Sequence, residues 1–131
     1  LSQEKIVAAF SKKLIIVADY TKKSEFLTFN YKKIPIEVSP MAYIPIRNRI
    51  ESLFGGVFHL RMAVAKAGPV VTDNSNFLLD WYFDGSSSTD FDGINREIMM
   101  IPGVVDTGLF IGMAKKAYFG MADDSVVTVE I

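Results

Sequence analysis

Apolar positions along the first third of the chain change spacing twice, and each change predicts a different element. Ile6 and Phe10, four apart with Val7 beside them, give one stripe of helical period over Gln3 to about Ser11. Ser2 can cap that helix, and Glu4 sits in its first turn, where the helix dipole favours an acid. Lys12 and Lys13 suit its last turn. Leu14-Ile-Ile-Val-Ala18 follows as an unbroken apolar run rich in β-branched residues. That pattern predicts a strand buried on both faces, as in a parallel sheet covered by helices. Asp19 to Glu25 is a polar loop with two lysines, and residues 26–33 form a connector.

The period shifts at Ile34. Ile34-Pro-Ile-Glu-Val38 alternates, so it predicts a strand with one buried face, and Pro35 places it at an edge or a strand start. Ser39-Pro40 is a helix-start signature. Pro45 would lose a hydrogen bond inside a helix, which a regular helix beginning near Tyr43 tolerates. Ile46, Ile50, Leu53 and Phe54 then form the core stripe, and Gly55-Gly56 ends the element. Val57 to Met62 is a strand with Phe58, Leu60 and Met62 inward and His59 and Arg61 on the other face. After the Ala67-Gly-Pro69 turn, Val70 to Thr72 is a short strand. Asp73 to Asn76 is a hairpin turn, since asparagine and aspartate tolerate left-handed backbone. Phe77 to Phe83 is a long strand with Phe77, Leu79, Trp81 and Phe83 on one face. Asp90 or Asp92 caps a helix that runs to about Ile101 with Ile94, Ile98 and Ile101 as its stripe, and Pro102-Gly103 ends it. Three strands remain: Val104 to Ile111, Ala117 to Met121 and Val126 to Ile131, the last two joined by the Asp123-Asp124 turn.

From 34 to 111 the order is strand, helix, strand, strand, helix, strand, the split βαβ or ferredoxin-like arrangement. The fold class expected is therefore α/β plus α+β. A ferredoxin-like lobe over 34–111 is inserted into the remains of an α/β lobe formed by 1–33 and 112–131.

Composition narrows the function classes. The chain has 131 residues, half of them apolar, and a net charge of −1 with both signs spread out. This argues against a nucleic-acid or membrane-surface footprint. There is no cysteine, so no disulfide framework or thiolate chemistry. One histidine and no CxxC or HExxH spacing argue against a protein-built zinc site. No apolar run approaches the roughly 20 residues of a membrane helix, and nothing resembles a signal peptide. A cytoplasmic location is expected. The chain opens at Leu1 without methionine, with helical pattern within three residues, and so reads as a cut or processed chain.

Position singles out Glu4 and Lys22, because in open α/β sheets ligands sit at the loops after the carboxyl ends of strands. On residues alone, a first-turn acid is more often a dipole-favoured surface group, and Lys22 and Lys23 are more often solvated. His59 reads as exposed or at an interface. Asp80, opposite Trp81 in the alternation, is either paired or exposed, and Asp106 is uninformative. Met99 and Met100 read as core filler rather than ligands. Ser86 to Ser88 lacks a nucleophile-elbow context, and there is no glycine-rich phosphate loop.

Five stretches carry a resemblance. Leu1-Ser-Gln-Glu-Lys-Ile6, the strand ending Val17-Ala-Asp19 with Lys22, Ile34-Pro-Ile-Glu-Val-Ser-Pro-Met41, Val70-Val-Thr-Asp-Asn74 and Ile101-Pro-Gly-Val-Val-Asp-Thr-Gly-Leu-Phe110 together resemble ribose-5-phosphate isomerase of the type A family. Arg61-Met-Ala-Val64, Lys66 to Asp73 and Tyr118-Phe-Gly-Met121 are similar to its animal branch. The match is collinear over nearly the whole chain and covers the family's carboxyl-terminal part. The family's GTGST-like phosphate loop, DGADE-like acid pair and KGGG run are absent here, so this chain alone is expected to be inactive.

The resemblance implies a Rossmann-like main lobe with a ferredoxin-like lid and assembly lobe. It implies an aldose–ketose isomerase of the pentose phosphate pathway that interconverts ribose 5-phosphate and ribulose 5-phosphate through an enediolate. Glu4 matches the catalytic glutamate and Lys22 the substrate-binding lysine, while Lys23 has no match. No metal or organic cofactor is implied. Homodimers or homotetramers are, with His59, Arg61 and the outer side of the 77–83 strand as interface candidates. Ser75 departs from the family's glycine in an Asp-Asn-Gly-Asn turn; either it adopts positive φ, or Asn74 does. The alternative function is a non-catalytic ferredoxin-like module for ligand sensing or oligomerisation.

Overall fold

A computed structural model describes all 131 residues and resolves them into two sheets and three α-helices. Helix α1 (Ser2–Phe10) leads into β1 (Leu14–Asp19), and a 3-10 turn (Tyr20–Lys22) follows. Then come β2 (Lys33–Val38), a 3-10 turn over Pro40–Ala42, α2 (Tyr43–Phe54), β3 (Val57–Leu60), β4 (Phe77–Tyr82), α3 (Phe91–Met99) and β5 (Val104–Thr107). Strands β6 (Ala114–Gly120) and β7 (Val126–Glu130) close the chain. No helix is long and apolar enough to cross a membrane.

The larger sheet is antiparallel, in the spatial order β3-β4-β2-β5. Its core face meets α2 and α3 through Ile34, Ile36, Val38, Phe58, Leu79 and Trp81, with Ile46, Ile50 and Ile98 from the helices. Trp81 is the largest wholly buried side chain; it stacks on Phe58, with ring centroids 5.8 Å apart, and its indole N–H donates to the Gly55 carbonyl at 2.9 Å. A side chain at Gly56 would strike that indole, since a Cβ there would lie 2.4 Å from Nε1, so the Gly55-Gly56 helix stop also makes room for Trp81. The smaller sheet runs β1-β6-β7, with β1 parallel and β7 antiparallel to β6.

Several expectations change. Pro35 lies in a central strand, not at an edge. Its carbonyl accepts from Gly108 N at 2.7 Å, one residue beyond the end of β5. In an antiparallel ladder a residue's N and O face the same neighbour, so the missing N–H falls where that ladder has already ended. For the same reason β5 stops at Thr107 rather than reaching Ile111. The stretch from Val70 to Thr72 forms no strand and makes one isolated bridge, Val71↔Phe77. Met62, Leu53, Met99 and Met100 are exposed rather than core.

The largest departures are at the amino end. Strand β1 is not buried on both faces. It pairs only with β6, and Val17 is 77% exposed. The apolar stripe of α1 turns outward, with Phe10 88% exposed, while Ser2 and Ala8 are buried and Lys5 half-buried. This helix is held by polar bonds from its other face.

Candidate active site

The core face of the larger sheet is apolar; its opposite face is not. Strand alternation puts Pro35, Glu37, Asp80, His59 and Asp106 on that second face. Each of its three acids is held by side chains from outside its own strand. Asp80 is paired, not exposed, and Arg61 grips it with both nitrogens, Nε to Oδ2 at 2.9 Å and Nη2 to Oδ1 at 2.5 Å; Lys33 stands 3.4 Å away. This two-pronged contact holds the segment after β3 across the sheet. His59 stays exposed and meets Tyr82 edge-on.

Glu37 is wholly buried. One oxygen accepts from Thr72 Oγ1 at 2.9 Å and Asn76 Nδ2 at 3.0 Å; the other accepts from Ser2 N at 3.2 Å and Ser2 Oγ at 2.9 Å. Burial pushes this carboxyl up, but the donors of Asn76, Thr72 and Ser2 outweigh it and hold it below the ordinary value. Beside it, Asp106 is its register partner on β5 and takes Lys5 Nζ at 2.7 Å. The Thr107 carbonyl also accepts from Lys5.

These bonds fix the first turn of α1, and Glu4 projects from the other side of that turn. Its side chain is 70% exposed and reaches a shallow depression of about 20 Å³ shared with Thr72, Asp73 and Asn74. Within the same turn, Leu1 N lies 2.8 Å from a Glu4 carboxylate oxygen. The exposed carboxylate can accept a proton from a bound molecule.

Lys22 ends the 3-10 turn after β1, where Asp19 accepts from Thr21 N at 2.8 Å and so sets the loop. Its ammonium bonds to the Tyr31 hydroxyl and lies 4.2 Å from that ring's centroid; the hydroxyl contact raises its pKa. It stays charged at neutral pH. Lys22 lines a cavity of about 720 Å³ between the smaller sheet and the connector, floored by Ile16, Phe26, Leu109 and Phe119. Glu4 is not among that cavity's residues, so the two candidates line different concavities. No cluster of three His, Cys, Asp or Glu side chains is placed to hold a metal.

Sequence reasoning passed over Glu37, Lys5 and the partners Thr72 and Asn76. A carboxylate inside an apolar strand was the available signal, but alternation alone assigned its face to solvent.

The family model described as ribose 5-phosphate isomerase A (phosphoriboisomerase A) matches residues 1–124. The chain is 57% identical over 127 residues to the ribose-5-phosphate isomerase of Homo sapiens, spanning 96% of this chain and 40% of that protein. With the ribose-5-phosphate isomerase of Dictyostelium discoideum it is 58% identical over 123 residues, 92% of this chain and 53% of the other. Among solved structures, a D-ribose-5-phosphate isomerase in complex with phospho-erythronic acid superposes with a TM-score of 0.90 at 33% identity, covering 99% of this chain and 55% of that one. Ribose 5-phosphate isomerase A from Methanocaldococcus jannaschii gives 0.87 at 32%, with the same two coverages. The chain spans roughly half or less of the length of these relatives. On a family match over residues 1–124, the chain belongs to the ribose 5-phosphate isomerase A family.

Proposed function

We propose that the chain carries part of the active site of an aldose–ketose isomerase acting on ribose 5-phosphate, with Glu4 as the base and Lys22 as a substrate-binding cation. The observation that carries this reading is the family match running through an accessible carboxylate at Glu4. The Glu4 carboxylate takes the proton from C2 of the open-chain aldose and the electrons pass into the C1 carbonyl to give an enediolate; the C2 hydroxyl proton passes to O1, and Glu4 returns its proton to C1 to leave the ketone at C2. One carboxylate can serve both adjacent carbons. Lys22 makes charge-assisted bonds to the anionic substrate. Other stabilisers of the enediolate belong to the family's phosphate loop and acid pair, so these 131 residues alone are expected not to turn over.

In a complete isomerase chain carrying this segment, Glu4→Gln is expected to lower kcat by about 10²–10⁴-fold while substrate still binds. Near-normal turnover would leave the non-catalytic module as the better reading. For Lys22→Ala the expectation is a raised KM with a smaller fall in kcat, and an unchanged KM would remove Lys22 from the site.

The same reading describes the larger sheet with α2 and α3 as a ferredoxin-like lobe over 34–111, and the smaller sheet as part of a Rossmann-like lobe from 1–33 and 112–131. The strand order β3-β4-β2-β5 and the parallel β1–β6 pair support it. A cytoplasmic homodimer or homotetramer working in the pentose phosphate pathway is the form proposed.

A further inference from the structure

Helix α1 presents Ser2 and Lys5, three residues apart, on its inner face. Beneath them lie Glu37 and Asp106, which face each other across β2 and β5. Each acid takes one of the two helix residues: Glu37 accepts from Ser2 N and Oγ, and Asp106 accepts from Lys5 Nζ. The neighbouring strands thus read two points of one helical turn. Between those points, on the outward side, is Glu4. Glu37 holds more than the helix. Its second oxygen binds Thr72 and Asn76, the two ends of the turn whose Asp73 and Asn74 share the depression with Glu4.

We propose that Glu37 and Asp106 are positioning residues that clamp Ser2 and Lys5 and so set the pose of the Glu4 carboxylate against the 72–76 turn. The proposal rests on the reading of Glu4 as the base. The large apolar residues of α1, Ile6, Val7 and Phe10, face away from the larger sheet, and the helix meets that sheet through the polar bonds of Ser2 and Lys5. Removing a clamp leaves Glu4 chemically intact but misplaced, and a displacement near 1 Å lowers turnover about 100-fold. The anion-binding groups are untouched, so substrate affinity is unchanged.

The test is steady-state kinetics in a complete isomerase chain carrying this segment, with each variant's melting curve recorded so that only folded enzyme is compared. Lys5→Met is expected to lower kcat by about 10- to 100-fold with KM changed less than about twofold. Lys5→Arg, which can still reach Asp106, should recover most of the loss. Adding Asp106→Asn to Lys5→Met should lower kcat no further, as two halves of one contact require. In Glu37→Gln the amide can still bridge Ser2 to Thr72 and Asn76 once the Thr72 hydroxyl and Asn76 amide reorient. It should therefore keep more turnover than Glu37→Ala. If Glu37→Ala does not fold, the lysine series decides alone. A lowered melting temperature with normal kcat, or a loss carried by KM, overturns the proposal. Glu4→Gln, assayed alongside, separates the two failures. Normal turnover there overturns the base and its clamp together; an inactive Glu4→Gln beside a fully active Lys5→Met overturns the clamp only.

Discussion

Ser75 carries a backbone angle that its side chain opposes. Its φ is +63°, in the left-handed region, and Asn74 does not take that role. A Cβ in this conformation meets the following carbonyl and costs about 1–2 kcal/mol. The conformation persists because the turn is tied on both sides: Ser75 N donates to the Thr72 carbonyl at 2.9 Å, and Thr72 N to the Asn76 carbonyl at 2.8 Å. Ser75→Gly is therefore expected to raise stability by about 1 kcal/mol, less glycine's greater freedom in the unfolded chain. Urea unfolding reads this as a higher midpoint at unchanged m. A lower midpoint would mean that the serine makes a compensating contact. Residues of this kind are half legible in sequence. Asp73 to Asn76 announces a turn by composition, but which of Asn74 and Ser75 goes left-handed depends on hydrogen bonds that composition does not encode.

Helices and strands were legible where one face is buried in the core of the larger sheet. The stripe of Ile46 and Ile50 and the alternation through Leu79 and Trp81 both lead inward. Helix α1 and β1 broke the rule, since an apolar pattern names a face to be covered without naming its cover. The covers that do exist come from far along the chain, Glu37 being 35 residues from Ser2 and Asp106 101 from Lys5. No local window contains such pairs. An apolar edge strand has a consequence of its own, because its unpaired N–H and C=O groups are a template for another chain. The 131-residue chain is expected to self-associate through β1, with Ile15 and Val17 in the contact. Val17→Lys, a charge on that edge, should shift light scattering toward monomer. Equal association in the variant would place the contact elsewhere.

At the scale of the molecule, the element order and the strand–helix–strand–strand–helix–strand run could be read from the chain, because each element's period survives locally. The candidate site was legible only in its two exposed members, Glu4 and Lys22, through their place in a helix's first turn and after a strand; the Ser2 hydroxyl, read as a cap, bonds Glu37 instead. The acids that hold the first of them were hidden by their burial. That hidden attachment has a mechanical meaning. Bolted through Ser2 and Lys5, Glu4 travels with β2 and β5, whereas Lys22 rides on the turn after β1 and travels with the other sheet. Only the short link from Ser11 to Lys13 joins the helix to that second body. On the proposed reading, proton acceptor and cation therefore belong to two different sheets. A substrate touching both would act as a strut, tying one sheet to the other.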